Sequence, residues 1–165
     1  MTPEKLWWWS VRLHQRGFTP LARVLKLINF QVFHAVLPYE CELHPDVTLW
    51  HRGAGTVIHP NTRIGRRVTI AHNVTITSGS QEKGSPLAVH LGDDVLVGAG
   101  ALVRPKHGHA LYVGAGAQIG AHAVVVRDVP PGGVMVGPVA TLREAPARHD
   151  VAREDVAAVE HVDEA

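Results

Sequence analysis

The stretch IHPNTRIGRRVTIAHNVTI, residues 58–76, sets an aliphatic side chain at every sixth position: Ile58, Ile64, Ile70 and Ile76. Outward from it, Leu91, Val97 and Val103 keep the step, and Val113, Ile119 and Val125 resume it after an interruption. A second series stands two residues before most such positions, at Val47, Thr62, Val68, Val74, Val95, Ala101, Ala117 and Ala123. Residues two apart on a strand share a face, so each pair reads as a very short strand sending two side chains into a core. A period of six fits neither a 3.6-residue helix nor a long strand, and it is the mark of a parallel β-helix. Gly65, Gly92, Gly98, Gly114 and Gly120 each follow an aliphatic residue, where the chain is expected to turn through positive φ. In this phase Ile70→Asp should prevent folding and Arg67→Asp should be nearly silent.

Before the repeat, Thr2-Pro3 and Thr19-Pro20 are helix starts. They predict one helix to about Gly17, with Leu6, Trp9 and Leu13 on one face, and a second with Leu21, Val24, Leu25, Ile28, Val32 and Val36 in line until Pro38. Two functions compete for this pair. Trp7, Trp8 and Trp9 among basic residues suit a membrane surface, but an uncapped repeat exposes core and strand edges, so a cap over the open end is the preferred reading. The organisation expected is a helical cap over 1–40, a β-helix over 41–140 and a charged tail over 141–165.

Sixteen Lys and Arg against fifteen Asp and Glu leave no overall field to recruit nucleic acid. The charge is uneven: Lys5, Arg12, Arg16, Arg23 and Lys26 face only Glu4 before Tyr39, while acids predominate after Ala140. Cys41 is the single cysteine, which excludes an internal disulfide and suits a reducing cytoplasm. Arg12, His14, Gln15, Arg16 and Arg23 interrupt the early apolar runs, so neither a secretory nor a membrane-spanning segment is expected.

The chain leaves its six-residue step at LWHRGAGTV (49–57), ITSGSQEKGSPLAVH (76–90) and VRPKHGHALY (103–112), and RDVPPGG (127–133) closes the repeat before a last expected strand within 134–139. Loops on a rigid scaffold are the usual carriers of chemistry. The segments LARVLKLINFQVFHAVLPYE, LWHRGAGTVIHP, IGRRVTIAHNVTI, LGDDVLVGAGALV and VGAGAQIGAHAVVVRDVPPG together resemble the hexapeptide-repeat acyltransferases, most closely the short serine acetyltransferases. The resemblance implies a left-handed parallel β-helix, acetyl-CoA as co-substrate, a homotrimer with sites between subunits and no metal.

Residue by residue, the resemblance makes His51 the catalytic base, although three residues separate it from Gly55 where the family has two, with Arg52 in the aligned place. His59 is the next candidate, whereas His44, His72 and His122 fall between inward positions and need no role. Glu42, before Leu43, His44 and Pro45, matches the family's orienting carboxylate, and Asp46 competes with it. The family's Arg-His pair for the serine carboxylate falls where Leu87, Ala88, Val89 and His90 stand. His90 is therefore the candidate substrate contact, with Arg52 or Lys83 supplying the missing cation. For coenzyme A the resemblance points to Gly98, Ala99, Gly100, Ala101, Gly114 and Ala117, with Arg127 as a phosphate contact.

The chemistry needs such a base, because a hydroxyl is a poor nucleophile until a neutral imidazole takes its proton. Three other readings stand beside L-serine acetylation. One is acetylation of a sugar or other alcohol. A second is a zinc enzyme of the gamma carbonic anhydrase type, with ligands drawn from His51, His72, His90, His107 and His109. The third is a trimeric scaffold without catalysis.

Overall fold

A computed structural model describes residues 1–78 and 89–141. Two helices, α1 (Pro3–Gln15) and α2 (Thr19–Phe33), precede thirteen very short strands. These are β1 (Glu42–Leu43), β2 (Thr48–Leu49), β3 (Val57–Ile58), β4 (Thr62–Ile64), β5 (Thr69–Ile70), β6 (Thr75–Ile76), β7 (Val89–Leu91), β8 (Leu96–Val97), β9 (Leu102–Val103), β10 (Leu111–Val113), β11 (Gln118–Ile119), β12 (Val124–Val125) and β13 (Val134–Met135). Strands three apart pair in parallel, and β13 follows β11 after an isolated Val113–Val129 bridge, giving sheet I (β1-β4-β7-β10), sheet II (β2-β5-β8-β11-β13) and sheet III (β3-β6-β9-β12). The chain thus winds around a three-sided prism whose edges are the I–II, II–III and III–I corners.

Both sequence series point inward as the six-residue step predicts. Ile58, Ile64, Ile70, Ile76, Leu91, Val97, Val103, Val113, Ile119 and Val125 are buried, and so are all eight members of the second series. They form one continuous core, each fully buried aliphatic side chain contributing roughly 1.5–3 kcal/mol.

The corner glycines have a different cause from the one expected. Gly65, Gly92, Gly98, Gly114 and Gly120 lack positive φ, and the left-handed residues stand two places later, at Arg67, Asp94, Gly100, Gly116 and His122. What demands glycine is the next coil. A Cβ on Gly92 would lie 2.7 Å from the Ala115 nitrogen, and one on Gly98 would lie 2.7 Å from the Ala121 nitrogen. Backbone meets backbone there, with no side chain able to give way.

The helices do close the N-terminal end of the prism. Trp7 is fully buried in the coil core and donates its indole N–H to Pro38 O at 2.8 Å. Glu4 accepts the Leu49 N–H at the margin of sheet II, and Val36 pairs with Val57 at the margin of sheet III. The cap and coils therefore share one core, and residue 36 already belongs to the prism.

The expected helix faces are corrected. α1 buries Leu6, Trp7, Ser10 and Val11 while Trp9 is 51% exposed. α2 ends at Phe33, His34 following in the left-handed region, and buries Ala22, Asn29 and Phe33. Leu21, Val24, Ile28 and Val32 face outward. The close contact with α1 selects the small Ala22 and the Asn29 amide, which donates to Pro3 O, over the larger aliphatic stripe. The expected last strand is β13, while Lys83 and the tail beyond Thr141 lie outside the described residues.

Candidate active site

The first departure folds into a tight, kinked turn, Trp50–Gly53, at the II–III corner between β2 and β3. His51, Arg52 and Gly53 all have left-handed φ, at 52°, 59° and 65°. For the two non-glycine residues that conformation costs roughly 1–2 kcal/mol each, so the surroundings must hold the turn in place. They do so from the next coil: Asn73 donates its N–H to Ala54 O at 2.8 Å, and the buried Thr56 hydroxyl donates to Ala71 O at 3.1 Å. His34 O also receives the Gly55 N–H at 3.0 Å.

The same corner continues coil by coil. The rings of His51 and His72 lie 4.8 Å apart at 88°. Gly100 donates its N–H to His72 O at 3.1 Å, and His122 donates its own to Ala99 O at 2.8 Å. A Cβ on Gly100 would stand 2.5 Å from the His122 ring, so glycine is what lets that ring pack against the turn of the preceding coil. One edge of the prism therefore carries His51, His72, the Gly98–Ala101 turn and His122 in sequence.

The other expected site residues are distributed around the prism. Gly114 and Ala117 bound the I–II corner between β10 and β11. Arg127 lies at the III–I corner, in a groove of about 210 Å³ lined also by Lys106, His109 and Asp128. His90 projects from sheet I between its register partners Arg63 and Tyr112. Arg52 is exposed beside His51.

Neither expected carboxylate is placed against His51. Glu42 pairs with Arg63 across sheet I. Asp46 bonds the His44 ring at 2.6 Å and accepts the Arg67 N–H at 3.0 Å. Burial works to raise the Asp46 pKa, but these hydrogen bonds together hold it below the usual carboxylate value. Closeness in sequence is misleading here, because the I–II corner and strand β2 separate Glu42 from the His51 turn, and β2 separates Asp46, in that corner, from it.

His59 lies beyond β3, where its Nδ1 accepts the Asn61 N–H at 3.1 Å and burial lowers its pKa. Cys41 is buried, donates its thiol to Pro38 O and is pushed up to about 12 by burial, as suits a structural residue. Among the described residues no three potential ligands converge within the chain; of the histidines named for zinc, His51 and His72 are in ring contact with each other, and His90 meets the Tyr112 ring instead.

His72 and His122 are the residues that the sequence left without a role. The signal lay in the coil length: β2 pairs with β5 as Leu49 with Ile70, and the same offset carries position 51 to position 72.

A parallel three-sheet coil with a histidine at an interrupted corner defines the class of hexapeptide-repeat acyltransferases. No family model matches the chain. A serine acetyltransferase from Helicobacter pylori is 38% identical over 130 residues, covering 76% of this chain and 70% of that protein. A solved serine acetyltransferase from Neisseria gonorrhoeae, in complex with serine, is 28% identical with a TM-score of 0.67, over 87% of this chain and 55% of that one. A Brucella abortus serine acetyltransferase in complex with coenzyme A shares the fold, with a TM-score of 0.72 at 23% identity over 83% of this chain and 52% of that one. The chain spans about half the length of these solved chains. It belongs to the serine acetyltransferase family, and its fold is the left-handed parallel β-helix expected from the sequence.

Proposed function

We propose that this protein transfers the acetyl group of acetyl-CoA to the hydroxyl of L-serine, with His51 as general base. The observation that carries the reading is the II–III edge, where a strained, braced turn presents His51 on the same edge as the Gly98–Ala101 turn. One ring nitrogen of His51 takes the hydroxyl proton as the oxygen forms a bond to the thioester carbonyl carbon. The oxyanion that develops is a target for backbone N–H donors along the turn. Its collapse breaks the carbon–sulfur bond, and the proton passes from His51 to the departing thiolate. The products are O-acetylserine and the free thiol of coenzyme A.

Arg52 is the cation proposed for the serine carboxylate, and Arg127 the proposed phosphate contact. A homotrimer is part of this reading. His90 and Arg127 lie on faces other than the His51 edge, and sheet III presents an outward row of Val57, Thr75, Leu102 and Val124 that a second copy would cover. Sedimentation at micromolar concentration should give a trimer, and a monomer would remove this part of the proposal. No described helix is long and apolar enough to cross a membrane; the cytoplasmic setting is proposed on the reduced, buried Cys41.

The deciding experiment is thiol release from acetyl-CoA across a panel of hydroxyl compounds beginning with L-serine. His51→Ala should lower turnover about 10²- to 10⁴-fold with the fold intact, and Arg52→Ala should raise KM for serine more than it lowers kcat. A carboxylate-free alcohol proving the better substrate would replace serine with a sugar or another alcohol as acceptor. Near-normal turnover in His51→Ala, with loss in His59→Ala, would move the base.

A further inference from the structure

A general base that takes a proton becomes a cation with hydrogen on both ring nitrogens, and the nitrogen turned away from substrate then needs an acceptor. In a Ser-His-Asp triad a buried carboxylate meets that need. Here Glu42 is engaged with Arg63, and Asp46 with His44 and Arg67. The side chain seen in ring contact with His51 is His72, half-buried one coil away. Its Nδ1 is buried and has no hydrogen-bond partner. Such an orphan costs roughly 1–3 kcal/mol in the folded state, and a catalytic role is one of the few reasons for a fold to retain it.

We infer that His72 is the positioning residue for His51, its Nδ1 accepting the second N–H of the His51 ring as that ring takes up the substrate proton. This inference rests on the reading of His51 as base. His72 would carry its own proton on Nε2 and leave Nδ1 as the acceptor. Only the His51 side chain, exposed above the corner, has to turn for the ring contact to become a hydrogen bond. No proton is gained or lost by His72, so the balance of the transfer is unchanged.

His72 is well anchored for this work. Its carbonyl accepts the Gly100 N–H, and the neighbouring Asn73 ties the corner to Ala54 in the turn that carries His51. The corner that positions the acceptor therefore also fixes the backbone of the base, so any displacement of one is shared by the other.

Three replacements of His72 in the full-length protein separate an acceptor from a packing ring. Gln retains an oxygen acceptor, Phe retains the ring without an acceptor, and Ala retains neither. We expect His72→Phe and His72→Ala to lose about tenfold or more in kcat, at nearly unchanged KM for acetyl-CoA, and His72→Gln to recover most of the loss. Melting curves on each variant confirm folding. If Phe equals or exceeds Gln in kcat, the inference is overturned.

Imidazole nitrogen NMR of the free protein supplies a readout that needs no turnover. The His51 nitrogens should shift in His72→Phe and remain in place in His122→Phe, a control farther along the same edge. That shift in a protein inert toward every acceptor would keep the pairing and sink the transferase reading. An active enzyme without the shift would sink the pairing alone.

Discussion

Arg67 lies at the middle of a column of charge on the I–II corner. Its guanidinium binds Asp94 with two contacts of 2.6 Å, its N–H reaches Asp46 at 3.0 Å, and its backbone is left-handed. Nothing in the six-residue step marks this position, because an outward hexad position looks alike wherever it falls, and these contacts contradict the expectation that Arg67→Asp would be silent. The substitution would set a carboxylate beside Asp46 and Asp94. Arg67 hydrogen bonding holds the Asp94 carboxyl below its usual pKa. A depressed folded value means that the stabilisation is complete above the ordinary carboxylate pKa of about 3.9 and is lost as pH falls through the folded one. Arg67→Asp should therefore melt below the unmodified protein at neutral pH, with the gap narrowing below about pH 4 as the carboxylates protonate. A gap independent of pH would show that the column is not ionic. Gln118→Asp, an exposed outward position on sheet II, should stay within about 0.5 kcal/mol at neutral pH, whereas Ile70→Asp should not fold.

Among the elements, strands were legible and helix faces were not, for one reason. A coil strand has a single inside, so the positions of Ile64 and Thr62 follow from period alone. A helix in a two-helix cap has two apolar flanks, and period cannot say which is covered. α2 shows the ambiguity plainly: its regular stripe of Leu21, Val24, Ile28 and Val32 faces outward while Ala22 meets α1. In α1 three adjacent tryptophans gave a choice that only packing could make. We expect Trp7→Ala to cost about 3–5 kcal/mol, because the cavity would open into the coil core. Trp9→Ala should cost no more than about 0.5 kcal/mol. Equal losses in chemical denaturation would mean that the cap is seated differently. The site followed the same division. The His51 turn was visible as an interruption of period, but its companion His72 is brought near by a whole coil of chain and could be found only once the register was known.

For the molecule as a whole, contacts run chiefly between successive coils, so stability should vary along the axis. The N-terminal end is sealed by Trp7, Glu4 and Val36. At the other end β13 is a two-residue edge strand with Val134 64% exposed. Amide exchange should be slowest around Ile70 and Val97 and fastest, among strand amides, in β13. Uniform protection from β2 to β13 would rule out this gradient. The three prism edges also differ in how they were built. Among the described residues, connections across the I–II corner are four residues long, at 44–47, 65–68, 92–95 and 114–117, and the longer connections at 50–56 and 104–110 fall on the other two edges. With glycines of one coil fitted against backbone of the next, that corner acts as a spine that accepts no added length. A peptide tag spliced in at 107–109 would ride outward on an edge already used to bulging, whereas the same tag between Gly92 and Val95 would force the coils apart.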